Sequence, residues 1–97
     1  MITGKQRRYL KKLAHDLKPS VFLGKAGLTA NIRKEMEIAF EYRELVKVKL
    51  QQGYDGKAKD MANLLAQELG AEFIHAMGRK LVLYRESKEN KEIILPE

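Results

Sequence analysis

Four residues between a predicted strand and a predicted helix have the composition of a phosphate-binding loop. Gly24 and Gly27 enclose Lys25 and Ala26. Glycine has no side chain, so its backbone reaches positive φ angles and lets another backbone approach closely. A helix that follows such a loop begins with unpaired N–H groups and a partial positive charge, which together attract a phosphate. Lys25 adds a full positive charge at the same place.

Further cations flank this loop in the sequence. Arg33 and Lys34 lie early in the helix after the loop, and Lys5 and Arg8 lie early in the first predicted helix. Cations at helix N-termini oppose the helix dipole and typically cost a few tenths of a kcal/mol each. Broken local rules of this kind tend to mark functional sites. The candidate binding residues are therefore Gly24, Lys25, Ala26, Gly27, Lys5, Arg8, Lys12, Arg33 and Lys34.

Positive charge is concentrated in the first third of the chain. The formal net charge of the 97 residues is +6. Residues 1–34 contain nine basic residues and one acidic residue, a net charge of +8, whereas residues 35–97 have a net charge of −2. Positive charge that served only solubility would be distributed along the whole chain. The asymmetry favours a polyanionic partner such as nucleic acid.

The loop sequence does not fit two common nucleotide sites. A P-loop requires serine or threonine after its lysine, and here Ala26 follows Lys25. A dinucleotide fingerprint requires three glycines at GxGxxG spacing. A GxxG loop that clamps a nucleotide backbone is instead the device of KH-type RNA-binding modules. The four-residue pattern is weak by itself, because it often marks a turn, and its significance comes from the cations around it.

Local signals divide the chain into seven elements. Thr3 and Gln6 form a capping-box pattern, and Pro19 ends the first helix because proline disfavours helical geometry in the residue before it. Thr29 is a good N-cap, and Gly70 is placed to end the third helix. The predicted elements are a helix at 4–15, a strand at 20–23, a helix at 30–42, a strand at 45–50, a helix at 58–69 and strands at 72–77 and 80–85.

This order predicts one α/β (α+β) domain over residues 1–97, in which three helices pack on a mixed four-stranded sheet. The first two strands are joined through a helix and should be parallel neighbours or near neighbours. The last two should form an antiparallel hairpin at Gly78-Arg79. Residues 87–97 form a C-terminal tail, and Ile93-Ile94-Leu95 is expected to dock on the core or on a partner.

Several side chains outside the loop allow more than one interpretation. Lys47 and Lys49 alternate with apolar residues, so they should share an open sheet face, where they either extend the binding surface or protect a strand edge. Tyr54, in a glycine-flanked loop, is the aromatic residue most free to stack on a base, whereas the others lie mostly at core spacing. A solvated helix face that offsets nearby cations is expected for Glu35, Glu37, Glu41 and Glu44.

The sequence offers little for catalysis or for a cofactor. The absence of cysteine excludes disulfides, thiolate nucleophiles and cysteine zinc sites. His15 and His75 are too few and too far apart to indicate a metal site, and neither Ser20 nor Ser87 has a nucleophile-elbow context. We expect no enzyme activity, cofactor, metal or small-molecule substrate. No apolar run approaches about 20 residues and no secretory signal is evident, so a cytoplasmic location without a membrane partner is expected.

Four segments in order resemble a known family over nearly the whole chain. They are Leu17-Lys18-Pro19, the run Val21–Thr29 that contains the loop, Glu44–Lys49, and the final hairpin segment Gly78–Arg85. Together they resemble a stand-alone CRM domain of the bacterial YhbY type. This is far more specific than the loop alone, and the Gly24–Gly27 motif shows no departure from the family pattern.

The resemblance implies a fold like the C-terminal domain of bacterial translation initiation factor three. It also implies RNA binding through the Gly24–Gly27 loop and adjacent basic surface, and association with precursors of the large ribosomal subunit. Plant organellar relatives act in group II intron splicing. The expected partner is therefore RNA, with large-subunit ribosomal RNA or a pre-ribosomal particle as the specific form, and the expected role is assistance in ribosome assembly.

Two alternatives come from other functional classes. A protein-interaction adaptor would use the first helix and the apolar tail at 93–95. Attachment to a membrane surface through the basic first helix is a poorer alternative, because its apolar side lacks the Trp and Phe anchors that such helices favour.

Overall fold

Seven elements follow one another in the predicted order α-β-α-β-α-β-β. The computed structural model describes all residues, 1–97. Relative to the predicted bounds, the first strand begins one residue later, the second helix ends one residue later and the last strand ends one residue earlier. The elements are α1 (Gly4–His15), β1 (Val21–Leu23), α2 (Ala30–Arg43), β2 (Leu45–Leu50), α3 (Ala58–Leu69), β3 (Glu72–Met77) and β4 (Lys80–Tyr84).

Local capping explains where the helices start and stop. The Thr3 hydroxyl accepts a hydrogen bond from the Gln6 amide at 3.1 Å, and the Gln6 side chain accepts from the Thr3 amide at 2.9 Å. The Thr29 hydroxyl accepts from the Ile32 amide at 3.1 Å at the start of α2. Gly70 ends α3 in the left-handed conformation, with φ 63° and ψ 39°. Three of the predicted caps are confirmed.

The four strands form one mixed sheet in the order β1-β2-β4-β3. β1 and β2 are parallel neighbours joined through α2. β4 lies between β2 and β3 and is antiparallel to both. The predicted fold class is therefore confirmed, and β2 and β4 are the two inner strands of the sheet.

The helices cover the two sheet faces unequally. Successive strand residues point to opposite faces, and the main core holds Val46 and Val48 of β2 together with buried residues of α2 and α3. The other face holds a smaller cluster in which Leu10 of α1 contacts Leu45 and Val82. The prediction that this second face is open was wrong in part, because α1 lies on it.

The expectation of a solvated glutamate face on α2 that offsets nearby cations holds for Glu35 and Glu37, which are exposed, and was wrong for Glu44 and in part for Glu41. Glu37 accepts two hydrogen bonds from the Arg85 guanidinium, at 2.8 and 2.9 Å. Glu41 accepts from the Ser87 hydroxyl at 3.1 Å. Glu44 is completely buried, and only Glu35 remains exposed without a partner. The groups that pair with these glutamates lie more than 40 residues further along the chain. The periodicity of the helix alone therefore could not reveal them.

The Glu44 carboxylate fixes the C-terminal tail. It accepts backbone hydrogen bonds from Ser87 at 2.9 Å, Glu92 at 2.8 Å and Ile93 at 2.9 Å. Burial alone raises the pKa of Glu44, but the amides of Ile93, Glu92 and Ser87 outweigh burial and leave the pKa below its usual value. The backbone of Glu44 has φ 59°, a strained conformation for a residue other than glycine.

The tail packs on the core of its own chain, which was one of the two predicted alternatives. Ile93 and Leu95 pack against the cluster under α1. The Gln6 side chain donates a hydrogen bond to the Pro96 carbonyl at 2.9 Å. Ile94 points away and is 82% exposed.

No helix of the chain combines the length and the apolar character needed to span a bilayer.

Replacing Glu44 with glutamine should lower the free energy of unfolding by about 2 to 4 kcal/mol, because the buried amides lose a charged acceptor. The lowered pKa adds a pH signature. The stabilisation by the Glu44 carboxylate is present above the pKa of glutamate in the unfolded chain and is lost as the pH falls below about 5. The free energy of unfolding of the glutamine variant should therefore depend less steeply on pH in this acid range. Urea unfolding between pH 3 and 7 measures both effects. Glu35→Gln, an exposed change on the same helix, is the control, and equal stability of the two variants would contradict the assigned role.

Candidate nucleic-acid interface

The Gly24–Gly27 loop is a closed turn whose tip faces solvent. The Gly27 amide donates to the Gly24 carbonyl at 3.0 Å. Lys25 and Ala26 are exposed at the tip, whereas Gly27 is buried and has φ 68°. This positive φ is the conformation for which glycine is suited.

Several backbone donors at this loop and the adjoining helix start have no partner within the protein. They include the amides of Lys25 and Ala26 at the loop tip and those of Ala30 and Asn31 at the start of α2. The next two amides of α2 are already bonded to Thr29, through its hydroxyl and its carbonyl. Free amides at a helix N-terminus favour an anion. The backbone therefore presents donors where a phosphate could lie.

The two glycines are required for different reasons. A Cβ at Gly27 would lie 3.7 Å from the ring of Tyr54 and 3.9 Å from Met61, which are ordinary contacts, so the positive φ is the constraint. A Cβ at Gly24 would lie 3.5 Å from Gln51, and the φ of Gly24 is outside the left-handed region. The fold therefore tolerates a side chain at Gly24, where its absence leaves the backbone open to approach.

A second loop, residues 51–56, supports the first. The Gln51 amide donates to the Leu23 carbonyl at 2.8 Å. Gly53 lies against Lys25, with an ideal Cβ only 3.4 Å from the lysine Cβ. The Arg79 guanidinium holds this second loop through hydrogen bonds to the carbonyls of Leu50, Gln51 and Tyr54. The sequence identified Arg79 only as a turn residue.

Tyr54 was predicted to be the aromatic residue most free to stack, and this was wrong. Its side chain is half-buried and packs against the main core. A Cβ on Gly56 would lie only 2.6 Å from the Tyr54 hydroxyl, so the ring is folded tightly onto its own loop. The other aromatic residues were expected to lie mostly at core spacing, but Phe22 is 48% exposed. Alternation in β1 was the missed signal, because buried Val21 and Leu23 place Phe22 outside.

The two predicted cations of α2 differ in their availability. Arg33 forms a salt bridge with Glu68 at 3.0 Å, so part of its charge is offset. Lys34 is exposed and has no ion pair. Both lie near the start of α2, which Thr29 caps and which follows the Gly24–Gly27 loop in the chain. Lys25 and Lys34 are the unpaired cations of this part of the site.

The three predicted cations of α1 form a separate group. Lys5, Arg8 and Lys12 are exposed and line one shallow groove of about 300 Å³ together with Tyr9 and Pro96. Because α1 and α2 cover opposite faces of the sheet, these cations do not surround the loop directly. The structure therefore divides the nine candidate residues into two sets.

A positively charged cleft lies between α1 and the sheet. It has a volume of about 260 Å³ and no acidic residue in its lining, which comprises Lys11, Ala14, His15, Lys47, His75, Met77, Lys80 and Val82. Burial lowers the pKa of His75, and the charges of Lys11 and Lys47 lower it further. The cleft thus favours the neutral form of the imidazole. The sequence associated neither histidine with these lysines.

No group of three or more His, Cys, Asp or Glu side chains is arranged to hold a metal ion. The polar groups that converge on the loop are amides and ammonium groups, which are ligands for anions.

The fold and site define a small α+β domain with an open glycine-bounded loop leading into a helix, flanked by cations. The chain belongs to the CRS1 / YhbY (CRM) domain family, whose model matches residues 2–85.

Relatives from several bacteria support this assignment. The Bacillus subtilis protein named "Probable RNA-binding protein YqeI" is 42% identical over 96 residues, covering 99% of this chain and 100% of the relative. A Haemophilus influenzae protein named "RNA-binding protein" is 42% identical over 91 residues, covering 93% and 91%. The solution structure of hypothetical protein SAV1595 from Staphylococcus aureus superposes with a TM-score of 0.83 and 44% identity, covering 99% of this chain and 100% of that one.

Replacing Gly27 with alanine should lower the free energy of unfolding by about 1 kcal/mol, because a side chain disfavours the positive φ. Gly24→Ala is the matched control, and its stability should change by less than about 0.5 kcal/mol. Urea unfolding of both variants measures the difference. Equal destabilisation by the two substitutions would contradict the separate roles of the glycines.

Replacing Lys47 with methionine should raise the pKa of His75. The substitution keeps the half-buried stem but removes one of the positive charges that favour the neutral imidazole. The recovery should be partial, because burial and Lys11 remain. Proton NMR titration of the imidazole measures the shift. Lys49→Met, on the same strand outside the cleft, is the control, and an unchanged titration in the Lys47 variant would refute the cleft electrostatics.

Proposed function

We propose that this chain binds RNA through the Gly24–Gly27 loop and the basic surface near it. The observation that carries the proposal is the set of unpartnered backbone amides at 25, 26, 30 and 31, set between the free cations Lys25 and Lys34. Amides of fixed direction can hold a phosphate oxygen, and the ammonium groups supply longer-range attraction. Family membership and the names of the relatives support RNA as the polyanion.

The second set of cations enlarges the contact. Lys5, Arg8 and Lys12 form a row on the exposed side of α1, across the sheet from α2. A structured RNA that is bound at the loop can extend around the sheet edge to this row. All nine candidate residues therefore belong to the proposed surface. Arg33 contributes less than Lys34, because Glu68 already pairs with it.

We further propose ribosomal RNA of large-subunit precursors as the ligand and assistance of ribosome assembly as the role. The family resemblance supports this specific part of the proposal. The role is one of binding, with no catalytic step and no cofactor or small-molecule substrate. A phosphate-directed surface of this kind positions an RNA backbone and does not by itself select a base sequence.

An adaptor that uses α1 and the tail has less surface available than the sequence indicated. Ile93 and Leu95 are packed under α1, and Leu10 is completely buried. Most of the tail assigned to that function is therefore occupied within the chain itself, with Ile94 as the apolar residue that stays exposed, which favours RNA binding.

Replacing both Lys25 and Lys34 with alanine should weaken binding to large-subunit ribosomal RNA and flatten its salt dependence. Each lost phosphate contact lowers the slope of log K against log salt by about 0.7 to 0.9, so the double variant should lose about 1.5 units. Filter binding at several salt concentrations between about 50 and 200 mM measures this change in slope.

The control is the double variant Arg43→Ala and Lys88→Ala, which removes the same charge elsewhere. Arg43 ends α2, about 20 Å from its first residue. Equal slopes for the two double variants would show that total charge, and not the loop, governs binding. Crosslinking to RNA in cells, followed by sequencing, tests the ribosomal assignment separately.

A further inference from the structure

Half of one sheet face has no helix on it. α1 covers Leu45, Val82 and Tyr84, which lie towards one end of the strands. Towards the other end, where the Gly24–Gly27 loop lies, one residue of each strand projects from the same face and is exposed. We call these residues the open row: Phe22, Lys49, Lys80 and Met77.

Strand register shows that the open row is continuous. Phe22 pairs with Lys49, Lys49 pairs with Lys80, and Lys80 pairs with Met77. Neighbouring strands lie about 4.8 Å apart, so the row is roughly 14 Å long. Phe22 is 48% exposed and Met77 is 71% exposed. The row therefore presents an aromatic side chain at one end, a thioether at the other and two ammonium groups between them.

Protection of strand edges does not explain these lysines. Charged residues commonly prevent edge strands from pairing with other chains. Lys49 and Lys80, however, lie on β2 and β4, which are the inner strands. Neither lysine has an ion pair, and the adjoining cleft adds Lys11 and Lys47 with no acidic lining residue. An uncompensated cationic surface on inner strands is complementary to a polyanion.

Phe22 has the position and exposure of a stacking residue. Exposed single apolar residues need no explanation in general, but Phe22 lies among free cations, two residues before Gly24. At about 3.3 Å per strand residue, its Cα is roughly 7 Å from the loop. An RNA strand that is held at the loop therefore meets the Phe22 ring next. Aromatic rings bind bases of any sequence by stacking, beside a cationic groove for the backbone.

We propose that the open row binds single-stranded RNA, with one base stacked on Phe22 and the adjacent phosphates held by Lys49 and Lys80. This inference rests on the proposed RNA-binding function and adds to it a preference for unpaired nucleotides beside the loop. Bases within a duplex are already stacked and cannot lie on the ring. The loop and α2 cations contact the backbone alone and do not make this distinction.

The test compares Phe22→Leu, which keeps an apolar side chain but removes the ring face, with Phe22→Tyr, which keeps the ring. Tyr42→Leu removes a more exposed aromatic residue, 65% accessible, from α2 and is the matched control. The probes are a single-stranded oligouridine and a blunt-ended RNA duplex of similar length. Fluorescence anisotropy measures affinity, and proton NMR measures the upfield ring-current shift of the uridine base protons.

Phe22→Leu should bind the oligouridine roughly tenfold more weakly and lose the upfield shift, while its affinity for the duplex is unchanged. Phe22→Tyr and Tyr42→Leu should behave like the unaltered chain. Unchanged oligouridine binding by Phe22→Leu would overturn the stacking role and leave the proposed function intact. Equal weakening for both probes would overturn it as well, because that result indicates a structural effect. Failure of the unaltered chain to bind either RNA would overturn the proposed function and this inference together.

Discussion

The buried carboxylate of Glu44 holds together parts of the chain that are distant in sequence. It lies at the junction of α2 and β2 and accepts three backbone hydrogen bonds from the tail. The tail then supplies Ile93 and Leu95 to the cluster under α1. One buried carboxylate is thus linked, through the tail, to the packing under α1 and to the charged surface on that side of the sheet. The strained φ of Glu44 is consistent with a position that its surroundings over-determine.

The length and placement of α1 divide the second sheet face into two regions. Its 12 residues span about 18 Å, and its buried contacts lie at one end of the strands. Beneath it, the face is a small apolar core. Beyond it, the face is a cationic surface that joins the Gly24–Gly27 loop. Two regions with different chemistry therefore arise from one sheet face, because a single helix covers only part of it.

Much of the fold was predictable because its signals are local. Caps at Thr3, Thr29 and Gly70 and the apolar periodicities set the elements to within about one residue. The site was less predictable, because burial depends on which elements meet. Glu44 is covered by the C-terminal tail, which lies more than 40 residues further along the chain. Arg79, in the hairpin between β3 and β4, holds the loop that follows β2. Phe22 is more exposed and Tyr54 more buried than the sequence indicated, although the alternation of buried and exposed residues within β1 could have revealed the exposure of Phe22.

The shortness of β1 determines how the loop behaves between encounters with a ligand. This strand has three residues and pairs with β2 alone, yet Val21 and Leu23 are almost completely buried. Detaching the strand would expose both side chains, at about 1.5 to 3 kcal/mol each. Gly24 therefore extends from an anchored segment, and the turn retains its shape in the free protein. Association then requires little additional ordering of the backbone, so more of the interaction free energy remains available as affinity.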